Sequence, residues 1–261
     1  MFSKVLMCPP NYFKIAYKIN PWMDGVVDSN LAMQQWSELK VSLEKCGIEV
    51  LTIEPQADLP DMVFACNAGL VYGKSVYLAN FRYKERRGER RHFEKWFKEN
   101  GLQVFSDTEY FFEGGGDAVF SSDNTLWAGY GFRSEKNAYQ NIALLGNFRV
   151  MLCELVDNRY YHMDMCLCPL SSDLALWYPD AFSADTKTQF KSEMDLIEVS
   201  KEEVDKFACN AIAVGKTVIL PAHCNEVKEA VLNHGFEIVE VEMSEFMKSG
   251  GAVQCLILKL Y

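Results

Sequence analysis

Five residues, Phe64-Ala65-Cys66-Asn67-Ala68, recur as Phe207-Ala208-Cys209-Asn210-Ala211. The likeness extends downstream, where Val71-Tyr72-Gly73-Lys74-Ser75-Val76 resembles Val214-Gly215-Lys216-Thr217-Val218. Two further segments share the outline, one opening at Gly116-Asp117-Ala118-Val119-Phe120 and one at Met163-Asp164-Met165-Cys166-Leu167. Each begins on a small polar residue at the head of a short apolar run, passes a turn, and resumes with a second apolar run, which is the signature of a hairpin. The heads are Asn67, Asp117, Asp164 and Asn210, and Cys255 continues the series with spacings of 50, 47, 46 and 45 residues. Upstream, Asn20 lies 47 residues before Asn67.

Helical patterns fill the gaps. Phe93, Trp96 and Phe97 fall at helical spacing between Glu89 and Asn100, with Gly101 as a stop, and Val227, Ala230 and Val231 do so between Asn225 and Asn233, ahead of Gly235. A short β-branched run follows each, such as Gln103-Val104-Phe105 and Glu237-Ile238-Val239-Glu240-Val241. The unit is therefore hairpin, helix, strand, an α/β repeat of ββαβ type. Five units fit the 261 residues as one domain spanning 1–261. Units too small to bury a face alone must share a core, and five can close a ring. Such a ring would gather Asn20, Asn67, Asp117, Asp164 and Cys255 around one central cavity.

Charge and cysteine usage remove several alternatives. The net charge is -10, and the single locally basic stretch, Lys84 to Arg91, is interrupted by two glutamates. Phosphate binding needs clustered cations, so no nucleic-acid partner is expected. The apolar part of the first ten residues is too short for a signal peptide, and no run reaches the roughly 18 apolar residues of a membrane span, so no membrane association and a cytoplasmic location are expected. The nine cysteines form no CxxC pair. Reduced thiols, with no metal site and no cofactor, are the expectation. A homodimer is left open.

Three segments carry chemistry: Phe112-Glu113-Gly114-Gly115-Gly116-Asp117, Tyr161-His162-Met163-Asp164, and Ser249-Gly250-Gly251-Ala252-Val253-Gln254-Cys255. The glycines permit positive φ and close approach of backbone to a ligand. Of four histidines, His92 and His234 read as surface residues and His223 has no partner in sequence; His162 alone lies beside a repeat-head aspartate. Each signal is weak by itself, because a buried cysteine is usually an inert small hydrophobe.

Together these residues resemble the guanidine-modifying superfamily: arginine deiminases, dimethylarginine dimethylaminohydrolases, amidinotransferases and arginine dihydrolases. The resemblance runs from Cys8-Pro9-Pro10 and Asn20-Pro21-Trp22-Met23 to the Cys255 segment, and its most specific parts are Glu113-Gly114-Gly115-Gly116-Asp117, His162-x-Asp164 and Gly250-Gly251-x-x-x-Cys255. It implies the five-bladed pentein α/β propeller with its active site in the central cavity. It also implies a cysteine-nucleophile hydrolase, in which Cys255 attacks the guanidinium carbon and forms a covalent thiouronium. His162 would protonate the departing amine and then activate water. Glu113 would accept guanidinium hydrogen bonds or orient His162, and Asp164 would hold two guanidinium N–H groups. Asp117 is a further carboxylate placed to meet a cation.

One position bears on the substrate. Deiminases, dimethylarginine hydrolases and amidinotransferases carry aspartate where this chain has Asn67, whereas arginine dihydrolases carry asparagine. An amide holds a cation less tightly but can donate to the carbonyl of a neutral ureido intermediate. The resemblance also implies that Arg86 and Arg133 clamp the substrate carboxylate and that Asn20 touches the amino-acid head; for Arg86 the competing reading is a solvated member of five arginines between Arg82 and Arg91. The expected activity is hydrolysis of arginine to ornithine, two ammonia and carbon dioxide. Arginine deiminase or dimethylarginine hydrolase is the runner-up, and a non-catalytic pentein binding module is the alternative outside the enzymes.

Overall fold

The computed structural model describes residues 2–261. It contains five three-stranded sheets. Four are built from consecutive chain. Gly69–Tyr72 pairs antiparallel with Ser75–Leu78, which pairs parallel with Gln103–Phe105. Ala118–Ser122, Thr125–Tyr130 and Arg149–Glu154 repeat that order, as do Leu167–Pro169, Leu174–Trp177 and Asp195–Glu198, and then Ile212–Val214, Thr217–Pro221 and Glu237–Val241. The parallel pair in each needs a crossover, and that crossover carries the helix. The five-unit α/β propeller expected from the repeat spacing is the fold observed.

The fifth sheet closes the ring. Its first strand is Leu258–Leu260, which pairs antiparallel with Lys4–Met7, and that strand pairs parallel with Glu49–Thr52 across the helix Ser29–Lys45. One blade is thus made from both ends of the chain. This changes the reading of Asn20. It heads no strand but lies in the long segment between Met7 and Ser29, so the five heads are Asn67, Asp117, Asp164, Asn210 and Cys255.

Four of the heads sit on, or directly after, a single 3-10 turn that delivers the chain into the first strand: Ala65–Ala68, Gly114–Gly116, Met163–Met165 and Gln254–Leu256. These turns contact one another across the centre. The helices Glu89–Glu99 and Asn225–Asn233 form where the apolar spacing places them; Phe93 and Phe97 are fully buried, as is Val231. Helices also pack between blades. Trp127, in the strand Thr125–Tyr130 and 1% exposed, stacks at 4.5 Å on Phe190 of the helix Ala184–Glu193. All nine cysteines are free thiols. Among the described residues no helix is long and apolar enough to cross a membrane.

Because the ring is held by packing between blades, removing an inter-blade side chain should be felt globally. Trp127→Ala is expected to cost about 3–5 kcal/mol in urea unfolding. A loss below about 1 kcal/mol would show that neighbouring blades do not depend on this contact.

Candidate active site

The turn Gln254–Leu256 points the Cys255 side chain into the middle of the ring, where it is 3% exposed. Its thiol donates to Asp164 Oδ2 at 3.3 Å, and its sulfur accepts an N–H from Asn210 Nδ2 at 3.1 Å. Burial pushes the Cys255 thiol well up, and the negative charge of Asp164 pushes it further. With nothing bound, the group is a neutral thiol. A cation placed against it would reverse that balance by favouring the thiolate.

Asp164 is fully buried. Its Oδ2 also receives the Cys66 thiol at 3.6 Å, while Oδ1 has no partner. Burial raises its carboxyl to about 7, against the pull of hydrogen bonds from Cys255, Cys66 and Asn210. The carboxyl makes no ion pair, only the more distant charge of Lys259 acting on it, and one of its oxygens has no hydrogen-bond partner.

Glu113 is the opposite case. It is also fully buried, but its Oε2 accepts from Arg133 Nη1 at 2.7 Å and pairs with His162 Nε2 at 2.8 Å. Burial would raise its carboxyl, yet the Arg133 charge and the His162 hydrogen bond hold it well below the usual carboxylate range. His162 is thereby fixed by an anion, the arrangement that orients an imidazole for proton transfer. The glycines that follow are needed here. Gly114 has φ +59, and a Cβ there would lie 2.7 Å from the Cys66 carbonyl oxygen; a Cβ on Gly116 would lie 2.4 Å from Asn67 Nδ2 and 3.1 Å from the His162 ring.

Asn67, Arg86 and Arg133 line the same cleft, together with Asn20, Asp61, Tyr161, His162, Gly250 and Cys255. Asn67 Oδ1 accepts from Arg86 Nη1 at 2.8 Å, and its Nδ2 donates to the Glu113 carbonyl at 3.2 Å. Arg86 precedes the helix instead of riding on its charged face and is only 3% exposed. Glu89 grips it bidentately at 2.8 Å on each oxygen, and the Asp61 and Phe64 carbonyls accept from it as well. Most of its donors are therefore committed, and a full two-pronged clamp from Arg86 is not on offer. Arg133 lies between the rings of Tyr83 and Tyr161, at 4.7 and 4.3 Å, and also reaches the Ile19 carbonyl. Asn20 ties the cover of the cleft together: its Oδ1 accepts from the N–H groups of Trp22 and Met23, and its Nδ2 donates to the Ser249 carbonyl. The void inside is about 10 Å³, room for about one water.

Asp117 departs from expectation. It is buried at the centre, but its two oxygens accept the N–H groups of Ser134 and Met163, at 3.1 and 3.2 Å, and it does not line the cleft. Its carboxylate splices neighbouring turns. Two other residues belong to the site and were absent from the sequence reading of it. Asp61 lines the cleft, 2% exposed, with Oδ2 accepting from Tyr17 and Oδ1 unpartnered. Asn210 touches the thiol, and its membership in the head series was the available signal.

Known proteins resemble this chain over nearly its whole length. A family model described as N,N dimethylarginine dimethylhydrolase, eukaryotic, matches residues 20–261. The uncharacterized protein ZK1307.1 of Caenorhabditis elegans is 48% identical over all of this chain and 94% of its own length. The bifunctional arginine dihydrolase/ornithine cyclodeaminase ArgZ of Synechocystis is 40% identical over 98% of this chain; the chain spans only 37% of that relative. The crystal structure of the ArgZ N-terminal domain bound to product superposes with a TM-score of 0.96 at 40% identity, covering 99% of this chain and 97% of that domain.

Burial of Asp164 without a cation has a measurable consequence. Its folded-state value, about 7, lies above the roughly 3.9 of an unfolded aspartate, so the folded chain holds the extra proton between those values. Stability therefore falls as pH rises through that window and levels above it. Asp164→Asn is expected to stabilise the unliganded protein in urea unfolding, with a gain that grows from about pH 4 to about pH 7. A gain independent of pH would contradict the assignment.

Proposed function

The chain belongs to the dimethylarginine dimethylaminohydrolase family of guanidine-hydrolysing cysteine enzymes, and on that premise we propose that it hydrolyses free arginine twice, to ornithine, two ammonia and carbon dioxide. Residues 1–261 act as one catalytic unit in this reading. The observation that carries it is the neutral Asn67 on the cleft that the thiol also lines, with its oxygen turned to Arg86 and its amide nitrogen facing the Glu113 carbonyl.

The substrate guanidinium sits against Asp164 Oδ1 and the Cys255 sulfur. Its charge favours the thiolate, the thiol proton passing to His162 across the cleft that both residues line; the thiolate attacks the guanidinium carbon, and His162, held by Glu113, returns that proton to the amino group that leaves as the first ammonia. Water then releases the ureido product from the thiouronium. At that stage the cation is gone, and an aspartate at position 67 would have lost its attraction for the ligand. Asn67 has a second amide N–H to offer the new carbonyl. The product stays, a second thiol attack displaces the second ammonia, and hydrolysis of the thiocarbamate gives a carbamic acid that loses carbon dioxide. At the far end, Arg133 holds the α-carboxylate with at most one N–H from Arg86, and the open oxygen of Asp61 accepts the α-ammonium.

Product stoichiometry tests this. With arginine, the parent is expected to release two ammonia per ornithine, and Asn67→Asp about one ammonia per citrulline. Cys255→Ser should lose activity by about 10³-fold or more. Citrulline as the end product of the parent would make the chain a deiminase, and dimethylamine released from dimethylarginine in preference to arginine turnover would make it a methylarginine hydrolase.

A further inference from the structure

Asn210 is fully buried, and its side chain uses every hydrogen-bonding capacity it has. Its Oδ1 accepts two backbone N–H groups from the nucleophile loop, Ala252 at 3.1 Å and Cys255 at 3.2 Å. Its Nδ2 donates to the Asp164 carbonyl and to the Cys255 sulfur, both at 3.1 Å. With two N–H groups demanding an oxygen, the amide has one satisfactory orientation, and that orientation aims an N–H at sulfur. The backbone adds to the grip, since the Gln254 N–H donates to the Asn210 carbonyl at 3.2 Å. Asn210 is itself held by Phe207, a non-glycine residue with φ +64, whose carbonyl accepts the Asn210 N–H at 2.8 Å and whose ring packs 4.7 Å from Trp22. A buried non-glycine residue in the left-handed region persists only where its surroundings enforce it.

We propose that Asn210 is a residue of the reaction centre that both positions the Cys255 loop and stabilises the thiolate through its Nδ2–H. The inference rests on Cys255 being the nucleophile but not on which products form. When the thiol loses its proton, the hydrogen bond it donated to Asp164 disappears and that carboxylate becomes a repulsive neighbour. The Asn210 N–H then strengthens, because a donor to an anion is worth more than a donor to a neutral sulfur. The other titratable groups around the sulfur are Asp164 and Cys66 on neighbouring turns and Tyr161 and His162 on the facing loop, with Lys259 acting on Asp164 and Cys66. None of them supplies a fixed N–H to sulfur as Asn210 does.

The repeat gives this a structural basis. Asn67 and Asn210 occupy the same place in the duplicated Phe-Ala-Cys-Asn-Ala segment, on two different turns of the ring. One amide faces the Glu113 carbonyl and Arg86; the other faces the nucleophile.

The test compares the parent with Asn210→Ala, which removes the donor without adding charge, and Asn210→Asp, which keeps the acceptor for the loop but turns an anion to sulfur. Alkylation of Cys255 by iodoacetamide, followed across pH by mass spectrometry of the Cys255 peptide, reads the thiolate directly. The midpoint is expected to rise by about one pH unit in Asn210→Ala and further in Asn210→Asp. Turnover of arginine should fall at least about tenfold in kcat, with KM changed less than about threefold. A folded Asn210→Ala with the parental midpoint overturns the proposal, even where Asn210→Asp shifts, because the effect would then be added charge alone. Activity lost only through KM and melting temperature, with the alkylation profile unmoved, also overturns it. Asn210→Ser is the neutral variant to use where alanine does not give the parental near-UV circular dichroism. Activity retained by Cys255→Ser would instead remove the nucleophile itself, a failure separate from that of Asn210.

Discussion

A carboxylate taken out of water must meet a cation, and the centre of this ring is arranged around that requirement. Glu113 meets it inside the protein, through Arg133 and His162, and is held firmly ionised. Asp164 does not: two thiols face one of its oxygens and nothing faces the other. The protein thus carries one ion-paired carboxylate that fixes His162 and one carboxyl without an ion pair next to its buried thiol. A guanidinium supplies what is missing to both Asp164 and Cys255 at once. In the proposed mechanism, binding of the substrate and activation of the thiol are the same electrostatic event.

The fivefold repeat makes such a concentration of charge affordable in structural terms. Each short turn ahead of a first strand delivers one polar side chain to the axis, while the helices and outer strands bury apolar faces around it. The five heads have diverged in task. Cys255 is the thiol, Asp164 faces it, Asn67 and Asn210 present amides, and Asp117 stitches turns together through the backbone of Ser134 and Met163. Closure by Leu258–Leu260 against Lys4–Met7 places the Cys255 turn in register with the rest.

The α/β repeat, the five blades and the helices at Glu89 and Asn225 were legible in the sequence because spacing and period report them directly. Cys255, His162, Glu113 and Asp164 were brought together by the resemblance of their segments to a known family, and the fold gathers them at one centre, Cys255 against Asp164 and His162 against Glu113. Asn20 was placed among the heads since it lies one repeat length before Asn67, and spacing cannot reveal that the sheet holding Lys4–Met7 takes its first strand from the far end of the chain. The same permutation is why Asn210, counted as a head, was left out of the ring. Arg86 resembled its four neighbouring arginines; only tertiary burial against Glu89 distinguishes it. Asp61 has no local signature, because its role comes from a cleft built by segments distant in sequence. Asp117 has the residue type of a ligand, and only the hydrogen bonds of the folded chain show that its oxygens are spent.

The account's central claim is that a guanidine substrate becomes covalently attached to the sulfur of Cys255. Rapid acid quenching of the enzyme with arginine, followed by mass spectrometry of the intact chain and its peptides, tests it most directly. The account predicts an adduct of arginine less one ammonia, confined to the Cys255 peptide, that forms and decays within a turnover. Steady ammonia release with no adduct at any quench time, or an adduct on another of the nine cysteines, would contradict it.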